Sequence, residues 1–207
     1  LRTLLERARA LGFTGVLIGN LGHLPLVRGL NFHLYGDYGL NVFNSRSLAY
    51  LKDKELESAC VSFELRFAQI RDLKKVLRAE AIVYGRLPLM ITENCLVQNE
   101  TGCRLDRQGP CVPEDGPCRC GQPNVLVDRT GAAFPLLPAY GHRTEIQNSK
   151  PLYLADRPEH RRLGLAYARL RFTTETAEEC VSVVQNYLDA APAAGDFTRG
   201  LYERGVE

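Results

Sequence analysis

Short apolar segments separated by helical patterns recur along the chain, and this feature constrains the fold most. Residues 15–20 read GVLIGN, a nearly continuous apolar run that is typical of a strand buried on both faces of a parallel sheet. Similar segments predict further strands at 36–44, 59–65, 80–87 and 165–172. Apolar residues at helical spacing lie between them. The sequence therefore predicts an α/β protein of about five βα units.

Five such units leave two architectures open. A βα unit of a (β/α)8 TIM-type barrel averages about 31 residues, so the chain has room for about five units once its Cys-rich segment is set aside. The chain would then be a partial barrel, and the alternative is a complete five-stranded doubly wound sheet. The sequence starts at Leu1 and its single methionine is Met90, which favours the partial barrel and a missing N-terminal part of the same domain.

The α/β pattern is interrupted by a segment rich in Gly, Pro and Cys. Within it, residues 125–127 and 133–134 predict a small β-hairpin across the turn-forming run DRTG. Further on, Thr176 and Glu179 form a candidate capping box at the start of a helix that extends to about residue 188. The predicted organisation is therefore barrel βα units in 1–94, a Cys-rich insertion with a hairpin in 95–150, and the last barrel strand with the C-terminal helix in 151–207.

Composition narrows the class of protein. The chain has 26 basic and 24 acidic residues, so its net charge of +2 gives no bulk electrostatic reason to expect binding to nucleic acid or a membrane. No apolar run approaches the ~18 residues that a membrane-spanning helix needs. We expect a cytoplasmic protein that has no membrane partner.

The cysteines are the main chemical signal. The chain has seven, of which Cys60 and Cys180 occupy apolar positions of periodic segments and are predicted to lie in the core. A local cluster of the other five favours a metal or iron–sulfur site over disulfides. Four thiolates suit zinc or a 4Fe–4S cluster, and the spacing does not choose between them. The candidate metal ligands are Cys95, Cys103, Cys111, Cys118 and Cys120, with His142 as a further one.

Polar residues stand where the predicted strands end. If the strands are parallel, catalytic groups belong at their C-terminal ends, although loops that begin there are often polar for solubility alone. On this pattern Glu64, Arg86 and Arg171 are the candidate catalytic residues. The candidate substrate-binding residues are Asn20, Asn41 and Asn44.

Several blocks of the sequence are distinctive. They include GVLIGNLG (15–22), GDYGLNVFNS (36–45), VYGRLPLMITENC (83–95), IQNSKPLYL (146–154) and FTRGLYERGV (197–206). On these blocks the chain resembles the collagenase-like peptidases of unassigned catalytic type, peptidase family U32. The resemblance implies a barrel-like catalytic domain. It also implies a link to 4Fe–4S relatives that act in oxygen-independent hydroxylation of quinone precursors or of tRNA and ribosomal RNA bases.

The resemblance also implies a ligand set of four cysteines, from which this chain departs. Two of the family's cysteine positions fall on Pro88 and His142, and another falls on Cys95. Proline cannot bind a metal, so the additional cysteines at 103, 111, 118 and 120 are the candidates that restore the number of ligands.

Three hypotheses about function follow. The first is an iron–sulfur enzyme that modifies an RNA base or a small aromatic of the quinone-precursor type, with a homologous subunit as a candidate partner. The second is a peptidase in which a carboxylate such as Glu64 or Glu93 activates water, with or without a metal. The third is a non-catalytic module in which zinc binds the cysteines and stabilises a loop.

Overall fold

A computed structural model describes residues 1–101 and 119–205 of the chain, and these residues form two sheets. The strands, in chain order, are β1 (Gly15–Ile18), β2 (His33–Gly36), β3 (Leu56–Cys60), β4 (Arg78–Gly85), β5 (Pro88–Thr92), β6 (Asn124–Val127), β7 (Ala133–Ala139), β8 (Arg143–Gln147), β9 (Leu152–Tyr153) and β10 (Tyr167–Leu170). The helices are α1 (Arg2–Ala10), α2 (Leu24–Val27), α3 (Ser45–Asp53), α4 (Phe67–Asp72), α5 (Leu96–Thr101) and α6 (Ala177–Asp189).

The larger sheet contains the five predicted strands in the order β1-β2-β3-β4-β10, and every neighbouring pair in this series is parallel. Helices α2, α3 and α4 connect successive strands, as expected for βα units. The two-residue strand β9 adds an antiparallel pairing to the end of β4. The predicted α/β class with a parallel sheet is confirmed.

The second strand was wrongly placed. The sequence predicts it at 36–44, whereas the strand ends at Gly36 and residues 38–40 form a turn of 3-10 helix. Asp37 caps this turn by accepting a hydrogen bond from the backbone N–H of Tyr38, and Asn41 ends it with a left-handed φ of 50°. An aspartate cap and a left-handed residue are both incompatible with continuous strand. The third strand likewise lies earlier than its predicted range of 59–65.

The core lies between the parallel sheet and the helices α3 and α4. Fully buried side chains from the sheet, such as Ile82, pack with Leu48 of α3 and Ile70 of α4. Two tyrosine hydroxyls donate hydrogen bonds of 2.5 Å to carbonyl oxygens of β4. Tyr202 donates to Ile82, and Tyr187 donates to Val83. A buried polar group keeps its place in an apolar core when it is hydrogen-bonded.

The smaller sheet has the order β5-β8-β7-β6, and all of its pairings are antiparallel. The predicted hairpin is confirmed as the β6–β7 pair, and Asp128 Oδ1 stabilises its turn by accepting from the N–H groups of Thr130 and Ala132. Strands β5 and β8 were not predicted. The strands of this sheet lie between Pro88 and Gln147, so much of the Cys-rich insertion (95–150) belongs to a folded sheet.

The C-terminal helix begins as predicted. Thr176 N–H donates to Glu179 Oε2 at 2.7 Å, and Glu179 N–H donates to the Thr176 hydroxyl at 3.3 Å, which is a capping box. Cys60 is fully buried, as expected, but Cys180 of α6 is only half-buried. The helix packs through Val183 and Tyr187, so its other apolar side chains face outwards. No helix in the described residues is long and apolar enough to cross a membrane.

Candidate functional site

Arg171 connects the two sheets at the C-terminal edge of the parallel strands. It follows β10, and its Nη1 donates to the carbonyl oxygen of Arg86 at 2.7 Å and to Gln147 Oε1 at 2.6 Å. Its Nη2 donates to Glu145 Oε1 at 2.7 Å. The Arg171 and Glu145 side chains are only 16% and 15% exposed, and Gln147 is fully buried. This contact is therefore a partly desolvated ion pair rather than a surface one.

Tyr38 belongs to the same group of side chains. Its ring lies under the Arg171 guanidinium, with the Arg171 Cζ atom 5.7 Å from the ring centroid, and packs against Phe63 at a centroid distance of 5.9 Å. Burial raises the pKa of the Tyr38 hydroxyl, and the Glu145 carboxylate raises it further. Tyr38 therefore remains a protonated hydrogen-bond donor. We call Tyr38, Glu145, Gln147 and Arg171 the strand-end cluster.

A glycine allows this cluster to form. Gly85, the last residue of β4, has φ +116°, and a Cβ atom there would lie 2.0 Å from the carbonyl oxygen of Arg171. A side chain is excluded both by this contact and by the backbone conformation. The backbone of Arg171 can approach β4 closely only because residue 85 is glycine.

The three predicted catalytic residues lie at this edge but differ in their surroundings. Arg86 is half-buried, and its Nη1 donates to the carbonyl oxygens of Asn148 and Ser149, which holds the segment after β8. Arg171 uses both terminal nitrogens on protein acceptors. Glu64 is half-buried after β3, and within the described part of the chain its carboxylate has no hydrogen bond. Arg86 and Arg171 are brought together, and their catalytic role stays a prediction.

The three predicted substrate-binding asparagines have local backbone roles. Asn20 accepts a hydrogen bond from Gly22 N–H at 2.7 Å, and Asn44 accepts from the N–H groups at the start of α3 at 3.0 Å. Both are therefore N-caps, which is a structural reason for asparagine at these two positions. Asn41 is exposed and takes the left-handed conformation. Contact of these residues with a substrate stays a prediction.

A second charged group lies deeper along the same edge. Arg169 Nη1 donates to Asp37 Oδ1 at 2.5 Å, and its Nη2 pairs with Glu80. Cys60 lies beside this group, and burial raises the pKa of its thiol to about 12. A thiol with so high a pKa is a poor nucleophile and metal ligand at neutral pH. The single positive charge of Arg169 is thus shared between two carboxylates.

Three of the predicted metal ligands line one cavity on the smaller sheet. The cavity has a volume of about 250 Å³ and is lined by Cys95, Cys120 and His142, together with apolar side chains such as Val97 and Leu136. Cys95 is 7% exposed and is a free thiol. Cys103, Cys111 and Cys118 lie outside the described residues. Two sulfurs and one imidazole at a single cavity are donors that suit zinc or an iron–sulfur cluster.

The fit to a metal is partial in the residues that the structure describes. In these ranges no three Cys, His, Asp or Glu side chains come close enough to hold one ion. Cys95, Cys120 and His142 therefore supply the right chemistry but need further ligands. His142 has φ 60° and follows Gly141, which has φ 74°, in the tight turn between β7 and β8. A left-handed histidine is uncommon, and such positions concentrate at functional sites.

The cysteine cavity and the strand-end cluster lie on opposite faces of the smaller sheet. Thr144 and Glu145 are adjacent in β8, so their side chains point to opposite faces. The Thr144 hydroxyl accepts a hydrogen bond of 3.0 Å from Leu96 N–H, next to Cys95, whereas Glu145 binds Arg171. One layer of backbone therefore separates the two groups.

The comparison with protein-family models decides the family. The model described as peptidase family U32 matches residues 1–126, which is more than half of the chain. The chain belongs to peptidase family U32. The suspected family is thereby confirmed. The family is peptidase-like, as its description says. A search of the curated proteins found no match, and a search of the solved structures found none either.

The match with the family model covers some of the candidate residues and not others. It includes Cys95 and Cys120, whereas His142, Glu145 and Arg171 lie beyond residue 126. Tyr38, Glu145 and Gln147 are site residues that the sequence did not predict. The signal for the last two was present in RTEIQ (143–147), where polar and apolar residues alternate as expected for a strand that has two different faces.

Proposed function

We propose that this U32 family member is an iron–sulfur enzyme that acts in oxygen-independent hydroxylation or another modification of an RNA base or a quinone-type precursor. The observation that carries the proposal is the shared cavity of Cys95, Cys120 and His142. The segment between Cys95 and Cys120 in the sequence carries three further cysteines, at 103, 111 and 118. A 4Fe–4S cluster takes four protein ligands, usually thiolates, and supplies one-electron transfer when it is bound.

The surroundings of the cavity support this assignment. The side chains that line it besides the donors are mostly apolar, and Cys95 is nearly excluded from solvent. An apolar shell controls solvent access and tunes the reduction potential of a metal centre. Pro88, which stands at one of the family's cysteine positions, is the first residue of β5 and cannot be a ligand. Cys120 and His142 are therefore the proposed replacements within the described residues.

We also propose that the parallel sheet is part of a (β/α)8 barrel. Its five strands are neighbours in chain order, as in a barrel, and within the described residues β1 and β10 each pair with one neighbour of the series. The C-terminal edge that carries Arg171 would then be the barrel mouth, where enzymes of this fold bind their substrates. A homologous subunit or a further part of the same domain would complete the barrel.

Metal analysis of anaerobically purified protein tests the cluster. We expect iron and sulfide, with absorbance near 400 nm, in the native chain. The variants Cys95→Ser, Cys120→Ser and His142→Ala should lose iron while the circular dichroism of the larger sheet is unchanged. Cys180→Ser is the matched control, because Cys180 lies on α6 outside the cavity, and it should retain full iron content. Iron that survives all three cavity variants would contradict the proposed ligands.

The alternative function is that of a peptidase, which the family supports. Glu64 has a carboxylate without a hydrogen bond among the described residues, as a water-activating base would need, whereas Glu93 is ion-paired with Arg143 at 2.9 Å. A colourless protein with one zinc that cleaves peptides, and loses this activity in Glu64→Gln, would favour this function. A colourless zinc protein without cleavage would favour the non-catalytic module.

A further inference from the structure

Glu145 stands out in the strand-end cluster because Arg171 and Gln147 hold only one of its oxygens. Glu145 Oε1 accepts from Arg171 Nη2 at 2.7 Å and from Gln147 Nε2 at 2.5 Å. Among the described residues, Glu145 Oε2 has no hydrogen bond. This oxygen is not among the unpaired side-chain atoms that are fully buried, so it keeps some exposure. The carboxylate is therefore fixed in position and retains an acceptor that a ligand can use.

The groups around this acceptor define a ligand of a particular kind. Tyr38 carries a protonated hydroxyl beside Arg171, which makes it a donor. On the same face of the smaller sheet, the cross-strand neighbours of Glu145 are Ile91 of β5 and Leu137 of β7. Residues paired across antiparallel strands share a face, so the carboxylate stands between two apolar side chains. Polar groups that fix orientation, set among apolar ones, are typical of small-molecule sites.

We propose that Glu145 and Tyr38 form the binding site for a flat ring that carries a hydroxyl or ring N–H, with Arg171 as the residue that positions Glu145. The ring would lie against Ile91 and Leu137. Its hydroxyl or N–H would donate to Glu145 Oε2, and the Tyr38 hydroxyl would donate to an oxygen of the ring. The choice of ligand rests on the proposed function, whereas the residues follow from the geometry alone.

This assignment changes the roles that the sequence suggested. Arg171 was predicted to be catalytic, but both of its terminal nitrogens bond to protein acceptors, so it acts on a ligand through Glu145. Glu145 lies beyond the residues that the family model matches and on the opposite face of β8 from Cys95. Glu145 and Tyr38 therefore do not line the cysteine cavity, and Leu137 borders both sites.

Binding of 4-nitrophenol to the purified full chain tests the proposal. Its absorbance distinguishes the neutral phenol from the phenolate, so it reports both affinity and the protonation state of the bound probe. We expect saturable binding to the native chain and at least tenfold weaker binding to Glu145→Gln, because a hydrogen bond to a charged acceptor is lost. Tyr38→Phe should weaken binding by a smaller factor and change the proportion of bound phenolate.

Glu93→Gln is the matched control. Glu93 is ion-paired with Arg143 at the same sheet and is 79% exposed, so its substitution removes one carboxylate without touching the cluster. We expect native affinity in this variant. If Glu145→Gln does not fold, Glu145→Asp keeps the charge for Arg171 but withdraws Oε2, and it should show the same tenfold loss.

Combined variants test the positioning role. Arg171→Lys should weaken binding in the native chain but not in the Glu145→Gln background, since residues that act through one another are not additive. The proposal is overturned if the native chain shows no saturable binding, if both Glu145 variants bind like the native chain, or if Glu93→Gln loses as much affinity as Glu145→Gln. Iron content measured on the same preparations reports separately on the proposed function, because none of the substituted residues Tyr38, Glu145 and Arg171 lines the cysteine cavity.

Discussion

The two sheets are stabilised in different ways. The parallel sheet has a continuous apolar core in which Ile82, Leu65 and Leu154 have no measurable exposure. The smaller sheet has edge strands with consecutive exposed apolar residues, from Leu89 to Ile91 in β5 and from Val125 to Val127 in β6. Burial of apolar surface therefore accounts for the first sheet but much less for the second. The second sheet therefore depends more on polar contacts, such as those of Glu145 and Gln147 with Arg171.

Strand β8 contacts both the parallel sheet and the segment that carries Cys95. Glu145 and Gln147 of this strand bond to Arg171 of the parallel sheet, and Thr144 faces the segment that carries Cys95. A substitution on one face of β8 can therefore alter the contacts with Arg171. A substitution on the other face can alter the contacts with the segment that carries Cys95. Single substitutions in each sheet can therefore test whether the two sheets are stabilised differently.

We expect the largest difference from matched isoleucine truncations. Ile82→Ala in β4 should lower the free energy of unfolding by about 4 kcal/mol, because the side chain is fully buried and leaves a cavity. Ile146→Ala in β8, where the residue is 9% exposed in a sheet with a smaller apolar core, should cost about 2 kcal/mol. Denaturant unfolding monitored by circular dichroism measures both. Equal losses would show that apolar burial stabilises the two sheets to the same extent.

The next effect concerns the junction between the sheets. Gly85→Ala should destabilise the protein by about 3 kcal/mol, because a Cβ atom would clash with the backbone of Arg171 at a positive φ. Gly19→Ala is the control at the end of β1, where an added Cβ meets nothing within 4 Å. We expect it to be within about 0.5 kcal/mol of the native chain in the same unfolding experiment. A mild Gly85→Ala variant would mean that the strand-end cluster tolerates a shift of β10.

A smaller effect should separate stability from metal binding in the second sheet. His142→Gly should be more stable than His142→Ala by about 1 kcal/mol, because only glycine adopts φ 60° without strain. Both variants lack the imidazole, so both should lose iron equally if His142 is a ligand. Thermal unfolding and metal analysis of the two variants give the result. Equal stability would show that the turn relaxes and that the backbone of His142 is not strained.

The parallel sheet could be predicted from the sequence because its strands lie in short apolar runs, although only β3 and β4 are buried along most of their length. An apolar run such as GVLIGN carries its own signal, and so does the Thr176–Glu179 capping box. Strand β5 contains PLMIT, whose residues do not alternate, and among the described residues its one partner is β8, about 50 residues away in the chain. Such a strand is set by its partner rather than by its own pattern. The same long-range pairing brings Glu145 to Arg171, so no local pattern could place that contact.

The smallest effect should be a loss of stability at mildly acidic pH, caused by His160. His160 is buried beside Tyr187, with Nδ1 2.5 Å from the carbonyl oxygen of Arg157, and burial lowers its pKa below the ordinary value of 6.5. The neighbouring charges partly cancel, since Arg161 lowers this pKa and Glu159 raises it. The unfolded chain therefore takes up a proton at a higher pH than the folded chain does. Linkage then requires that stability falls as the pH drops below 6.5, until the folded-state pKa is passed.

The test compares slopes rather than absolute stabilities. Denaturant unfolding of the native chain at pH 7.5, 6.5 and 5.5 should show a loss of stability across this window, above the range in which carboxylates titrate. In His160→Gln the loss should be smaller, whatever the variant costs at pH 7.5, because no imidazole at position 160 is then available to take up the proton. An unchanged slope in His160→Gln would show that another group sets the pH dependence.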